Sequence, residues 1–372
     1  MQRADLVVVG ASFAGLACAR TAASRGLRVV VLERKPEPGA FPRTTGIVVK
    51  EVVEEWDIPD RLTRTVSGVR LYSPSLHAID LASPGYYFLP TDTPELLRWL
   101  AAQAEGAGAE IRCGTPYRGA ARAAVGFRLE GCGVECRILV GADGSRSRVA
   151  RDFSLGRNRA YLLGLEAEYE GVGGVDPERL HCFLDSRIAP GYLAWVVAGV
   201  GITQVGLACR WPARPDLAAF VRHAGRLFDF RDARVVARRG GFIPVGGAVR
   251  RIGRDGVLLA GDAAGCVSPL TAGGIHTALH YGRRTGLAVA DHLLAGGPAP
   301  ERVMEGELPR FLWKGMLRRA LDLAPPNRLL DLALSSRPLR ALASTIFFHH
   351  RGLLSGKAWR DLLERVTESG GS

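Results

Sequence analysis

The sequence predicts an α/β protein in three parts: a Rossmann-like domain on a parallel sheet, an inserted α+β domain of mostly antiparallel strands, and a C-terminal helical segment. Three observations carry this. The chain opens with a glycine-rich strand–turn–helix–strand unit over residues 5–33. Two later strand-like runs, 136–140 and 257–260, each lead into a glycine and an acid. Residues 68–90 and about 156–250 alternate apolar and polar side chains, as antiparallel strands do.

Residues 5–9 form a short apolar run, the pattern of a parallel strand buried on both faces. Gly10-Ala-Ser-Phe-Ala-Gly15 follows, then helical apolar spacing over 16–25, a stop at Gly26 and a second strand over 28–33 ending in Glu33. This is the frame in which a glycine fingerprint marks a dinucleotide site. Gly10 permits the sharp turn, Ser12 and Ala14 are small enough to admit a phosphate group, and Gly15 lets the helix approach the sheet. Helix N-terminal amides suit a pyrophosphate, and Glu33 can accept hydrogen bonds from a ribose. The serine is not a hydrolase nucleophile, because the spacing to the next glycine is one residue too long. The run 136–140 leads into Gly141-Ala-Asp143-Gly144, and the run 257–260 into Gly261-Asp262-Ala-Ala, each followed by small residues and a helical segment.

The chain of 372 residues is long enough for two or three domains, and 47% apolar with 23% charged residues is an ordinary soluble composition. Its formal net charge is +12, carried almost wholly by arginine, since only Lys35, Lys50, Lys314 and Lys357 are lysine. The arginines are scattered without a run of five, which argues against a nucleic-acid interface. Seven cysteines show no metal-ligand pairing, and their odd number without a secretion signal points to a reducing cytoplasm. Residues 193–209 carry no charge, but Gly199 and Gly201 make two strands and a turn the expected structure rather than a membrane helix.

The three strand ends together resemble FAD-dependent oxidoreductases of the p-hydroxybenzoate hydroxylase-like superfamily, over residues 4–297. The resemblance implies a Rossmann-like FAD-binding domain made of 1–67, 91–155 and 251–297, a substrate domain of 68–90 and 156–250, and a C-terminal helical region of 298–372. It implies that Asp262 hydrogen-bonds the ribityl chain and that Gly273, Gly274 and Ile275 bring a helix N-terminus to the pyrimidine edge of the flavin. Asp143, Gly144, Gly261 and Pro269 belong to the same cofactor set, with Arg34 and Arg43 as cationic contacts after the second strand. Gly265 stands where the aromatic hydroxylase branch typically has histidine, and Gly261-Asp-Ala-Ala-Gly-Cys-Val-Ser-Pro is similar to the geranylgeranyl reductase branch. That branch carries a Pro-Gly-Gly-Tyr-x-Trp-like strand; here Pro190-Gly-Tyr-Leu-Ala-Trp195 matches at the proline, first glycine and tryptophan, with Tyr192 and Leu193 departing from it.

The resemblance implies a reductase that adds hydride from reduced flavin to C=C bonds of a large apolar, isoprenoid-like substrate; the alternative is a flavin monooxygenase using NAD(P)H and O2. Tyr192 and Trp195 are expected to line either the sheet core or the substrate pocket. His276 is a candidate proton donor or a helix-face histidine, and Cys266 a candidate redox thiol or a packing one. No second βαβ fingerprint is present, so the electron donor, NAD(P)H or another external reductant, is not marked. Glu166, Glu168 and Glu170 share one strand face, expected to be solvated, the alternative being a paired-carboxylate acid/base site. The basic, leucine-rich C-terminus is expected to cap the substrate channel or to touch a membrane surface.

Overall fold

A computed structural model describes residues 1–309, 311–323, 326–336, 343–344 and 346–348. The chain begins with β1 (Gln2–Val9), α1 (Phe13–Ser24) and β2 (Val29–Leu32). A first excursion comprises β3 (Ile47–Val49), α2 (Lys50–Glu55), β4 (Gly68–Tyr72), β5 (Ala78–Ala82) and β6 (Phe88–Pro90). It returns through α3 (Thr93–Gly106), β7 (Glu110–Arg112), β8 (Ala120–Arg122), β9 (Phe127–Leu129), β10 (Val134–Gly141) and α4 (Arg148–Asp152). A second excursion follows with β11 (Tyr161–Glu170), β12 (Arg179–Phe183), β13 (Ala194–Ala198), β14 (Thr203–Arg210), α5 (Leu217–Ala224) and β15 (Arg234–Pro244). The chain closes with β16 (Gly253–Arg254), β17 (Val257–Leu259), α6 (Ile275–Ala295), α7 (Pro300–Glu307), α8 (Leu312–Asp322) and α9 (Asn327–Ser335).

Among the described residues two compact units result: 1–46, 92–161 and 242–318 form the first, and 47–91, 162–241 and those from 319 onward the second. Residues 47–67, expected in the cofactor domain, belong to the second unit because β3 pairs with β6 and Val66 bridges to Phe88. Of the described C-terminal residues, 298–318 go with the first unit and those from 319 onward with the second. Of the leucine-rich C-terminus, Leu339, Leu342, the break at Pro325 and the terminal residues 368–372 lie outside the described residues.

The first unit's sheet runs β16-β17-β10-β1-β2-β7, with β9 and β8 hung from β10. Its central five strands are parallel. Val7, Val8, Val30, Val31, Leu139 and Val140 are almost fully buried, as a sheet covered on both faces requires. Helix α1 ends where Gly26 takes a φ of +91°, and α3 starts with Asp92 accepting from the Glu95 amide. Helices α1 and α6 cross closely. A Cβ on Gly282 would lie 2.4 Å from the Ala14 carbonyl oxygen, and one on Gly286 2.6 Å from that of Cys18. Glycines four apart on one helix thus meet small residues four apart on the other.

The second unit's sheet runs β15-β11-β14-β13-β12-β4-β5, and the uncharged stretch 193–209 is the β13–β14 hairpin, turned at Gly199 and Gly201. One face packs Phe183, Val196, Val205 and Leu207 against Phe220 of α5. Tyr72 stacks on Phe183 at 4.5 Å, a pair worth about 0.5–1.5 kcal/mol beyond its buried area. The opposite face overturns one expectation. Glu166 is 3% exposed, not solvated. Gly206 lies in register between Glu166 on one neighbour and Trp195 on the other. Its missing side chain leaves room for the indole, whose Cζ2 would lie 2.3 Å from a Cβ there. Across that gap Trp195 donates to Glu166 Oε2 at 2.9 Å. The buried Arg239 guanidinium pairs with Glu168 and lies 3.4 Å from Glu166 Oε1. One guanidinium cannot neutralise two carboxylates, and burial pushes Glu166 up to about 7 against the pull of Arg239.

A carboxyl raised above its unfolded range binds more protons folded than unfolded between those two values, so its contribution to stability falls as pH rises through that window. Glu166→Gln is therefore expected to gain on the wild type as pH goes from 5 to 8, on the order of 1–3 kcal/mol. Melting temperatures of both proteins across that range check it; parallel curves would contradict a buried, proton-holding Glu166.

Candidate functional site

Strand register brings the three glycine-and-acid loops to one sheet edge. Val9 pairs with both Leu32 and Gly141, and Gly141 with Leu259. The residues that follow, Gly10, Glu33, Ala142 with Asp143, and Ala260 to Asp262, therefore leave from level strand ends.

The first loop is shaped by what glycine permits. Gly10 has a φ of +107°, and a Cβ there would lie 2.4 Å from the Ala142 carbonyl oxygen. A Cβ on Gly15 would lie 1.9 Å from the carbonyl oxygen of Gly10. Both positions exclude any larger residue. Ser12 is the exposed N-cap of α1, yet its hydroxyl makes no capping hydrogen bond, and the first turn holds no acid. The first-turn amides are thus without a side-chain acceptor, and the helix dipole adds to their pull on an anion. Ala14 is buried, wedged against Gly282 of α6 and 2.7 Å from where a Cβ on Gly261 would stand. Its role at the site is close packing.

Glu33 is buried and partly committed to the protein itself. Its Oε2 accepts from the Ala11 amide at 2.8 Å and its Oε1 from the Lys35 amide at 2.9 Å. A carboxylate so held fixes the first loop to the end of β2 and keeps spare lone pairs for a diol. Lys35 and Arg43 interact with it, and Arg34 with both of them. Burial lowers the Lys35 ammonium, with Glu33 opposing and Arg43 and Arg34 adding repulsion; burial and then Arg34 lower Arg43. Cations held near one another by a single carboxylate favour a polyanionic ligand such as a diphosphate.

At the second loop, Asp143 Oδ2 caps α4 by accepting from the Arg148 and Val149 amides at 2.7 and 3.2 Å, while Oδ1 is buried without a partner. Gly144 has a φ of +86° and open space where a side chain would be. The third loop is a single 3-10 turn over Gly261–Ala264, closed by Gly265 with a φ of +71°. Asp262 is half-buried as a residue, and loss of hydration pushes its carboxyl up to about 6. Its Oδ1 lies 3.6 Å from where a Cβ on Gly274 would stand. Gly274 is the N-cap of α6 and supplies no side-chain cap, Gly273 before it is exposed, and Pro269 and Ile275 are buried. The acid and the uncapped start of a 21-residue helix therefore face the same space.

Two catalytic candidates read differently in place. Cys266 is 1% exposed and burial pushes its thiol up to about 12, so it is a neutral packing group rather than a reactive thiolate. His276 is half-buried and stacks on His280 at 6.0 Å, one turn further along α6. Tyr192 lies in the turn before β13, and Trp195 in the second unit's sheet. Sequence reasoning missed Asn158, which donates to the carbonyl oxygens of Ser145 and Asp262 at 3.0 and 2.8 Å and so ties the second loop to the third.

A model of the FAD binding domain matches residues 3–298. Digeranylgeranylglycerophospholipid reductase of Methanothrix thermoacetophila is 32% identical over 332 residues, 82% of each chain. An enzyme of that name from Methanosarcina acetivorans is 29% identical over 92% of this chain and 88% of its own. Among solved structures, a geranylgeranyl bacteriochlorophyll reductase-like protein from Thermoplasma acidophilum superposes with a TM-score of 0.82 at 22% identity, covering 98% of this chain and 99% of that one. A flavin-dependent brominase does so with 0.73 at 16%, over 99% of this chain and 100% of its own. At those identities the structures attest the fold alone.

The three loops fit FAD: a glycine cradle with idle helix amides, cations near the end of β2, a buried acid there that keeps free lone pairs, and a desolvated acid beside a helix start. If FAD hydroxyls donate to Asp262 they favour its ionised form, so binding should release its proton and FAD affinity should fall as pH drops below about 6, by up to about ten-fold per pH unit. Fluorescence titration of FAD from pH 5 to 8 measures this. Asp262→Asn should bind more weakly at pH 8 and lose the acid limb; a variant retaining that limb would assign it to another group.

Proposed function

The chain belongs to the FAD-binding-domain family, in its geranylgeranyl reductase branch, and from that premise we propose that it reduces C=C bonds in an isoprenoid lipid. The observation that carries the substrate class is the run of reductase-named relatives at 32–34% identity over more than three quarters of the chain. The monooxygenase alternative has only fold-level likeness behind it, from a brominase at 16% and a hydroxylase at 20% identity.

FAD supplies the two-electron chemistry when bound. The chain's part is to hold the adenosine end through Glu33, Ser12 and the cations Arg34 and Arg43, and the flavin end through Asp262 and the start of α6. A helix N-terminus there favours negative charge by about 0.3–2 kcal/mol. Tyr192 and Trp195 are proposed to contact the apolar substrate, Trp195 with its plane fixed by Glu166. An external reductant, NAD(P)H or another, completes the cycle. Incubating the holoprotein anaerobically with chemically reduced FAD and a polyprenyl lipid should give product heavier by two hydrogens per bond reduced, read by mass spectrometry. Lipid-dependent oxygen consumption with no anaerobic product would favour hydroxylation instead.

Among the described residues no helix is long and apolar enough to cross a membrane. Peripheral contact is proposed through α9, where Leu329 and Leu332 are 56% and 68% exposed and Arg328 is exposed. Such a basic, apolar surface suits anionic lipid. Flotation with anionic vesicles should recover the protein, and Leu329→Asp with Leu332→Asp should lower recovery several-fold while FAD binding stays intact; equal recovery would remove this part of the proposal.

A further inference from the structure

We propose that Asn158 is a positioning residue of the flavin site, setting the third loop, and Asp262 with it, against the second. The proposal deepens the cofactor reading and rests on it. The geometry is specific. Asn158 Nδ2 meets two main-chain acceptors, the Ser145 oxygen of the second loop and the Asp262 oxygen of the third, at 3.0 and 2.8 Å. Both partners only accept, so the amide must present its NH2 group to them, and its orientation follows. The two loops are 104 and 13 residues from Asn158 in the chain, so the contact joins segments that share no local structure.

The surroundings hold the side chain in place. The main-chain carbonyl oxygen of Asn158 accepts from the Tyr161 hydroxyl at 2.9 Å, and Ser145 Oγ donates to the Phe242 oxygen at 2.8 Å. Gly265 is the other half of the arrangement. A Cβ at that position would lie 2.9 Å from Asn158 Oδ1 and 2.3 Å from the Gly247 oxygen. A side chain after Gly261-Asp-Ala-Ala and Asn158 in this pose cannot coexist, which gives Gly265 a physical reason. Asn158 Oδ1 itself is buried with no partner, so the residue is retained for its donors and not for its acceptor. It touches the backbone of Asp262 rather than the carboxyl, and so acts on the cofactor through the loop that carries that acid.

The decisive variant is Asn158→Asp, equal in shape but with both donors replaced by acceptors facing two carbonyl oxygens. At pH 8 its FAD dissociation constant is expected to exceed that of the wild type roughly ten- to hundred-fold, the range for buried polar partners left unmet. As pH falls to 5 the introduced carboxyl protonates and regains one donor, so the ratio of variant to wild-type constants should shrink. A role in shape alone would not produce that narrowing. Binding equal to the wild type, or a weakened ratio independent of pH, overturns the proposal. Circular dichroism and melting of the FAD-free proteins report folding. If Asn158→Asp does not fold, Asn158→Ser, with one donor on a shorter arm, decides: weaker FAD binding by a folded protein supports the proposal and wild-type affinity overturns it. A wild type that binds no FAD would remove the cofactor reading as well, whereas a wild type that binds alongside an equally tight variant removes only this inference.

Discussion

The level ending of adjacent parallel strands is the constraint on which the site depends. Val9 is flanked by Gly141 and Leu32, and Gly141 by Leu259, so the loops that follow begin at one height along the sheet. A slip of one residue in any ladder would move its loop by about 3.3 Å and turn its buried side chains to the other face. The backbone contact between Gly10 and the Ala142 oxygen adds a lateral condition, since the first turn can lie against the end of β10 only without a side chain. Register sets the height of the loops, and glycine sets how near they come.

On that scaffold the charges are arranged to be partly satisfied before any ligand arrives. Glu33 accepts from two backbone amides and is thereby oriented without being used up. Asp143 closes α4, so its loop is rigid on its own account. Asp262 is the contrasting case: desolvated and raised to about 6. Hydrogen bonds made to a group already stripped of water cost less further desolvation and are stronger in a low dielectric. One acid thus serves as a fixed post and another as a responsive one, and the difference lies in whether backbone amides already occupy the oxygens.

The parallel half of the fold was legible because its signals are local. The apolar run of β1, the glycine spacing before α1 and the acid after β2 fall within one stretch of about thirty residues, and each has a mechanical reason there. What escaped was long-range. Asn158 is a single amide among arginines, in a stretch read as substrate domain, and its partners are carbonyl oxygens, which every residue has. The alternation of β11 put Glu166 and Glu168 on one face but said nothing of what covers that face; the register that sets Gly206 beside Trp195 decides it. Residues 47–67 read as a continuation of the first domain because only the pairing of β3 with β6, forty residues on, carries them elsewhere. Gly282 and Gly286 left a visible trace, two glycines four apart in a helical pattern, which means close approach of a second backbone.

These glycines share one logic with the polar groups that sequence reasoning missed. At Gly206 the missing Cβ makes way for the Trp195 indole, which then reaches Glu166. At Gly265 it makes way for Asn158, which then reaches the Ser145 and Asp262 carbonyls. In both places a buried polar side chain spans a gap between strands or loops, and the gap exists because one residue has no side chain. A polar group sent into the interior must find its partners or incur about 1–3 kcal/mol. The glycine and the spanning residue are therefore constrained together: enlarging the first displaces the second, and shortening the second leaves its partners buried and unmet.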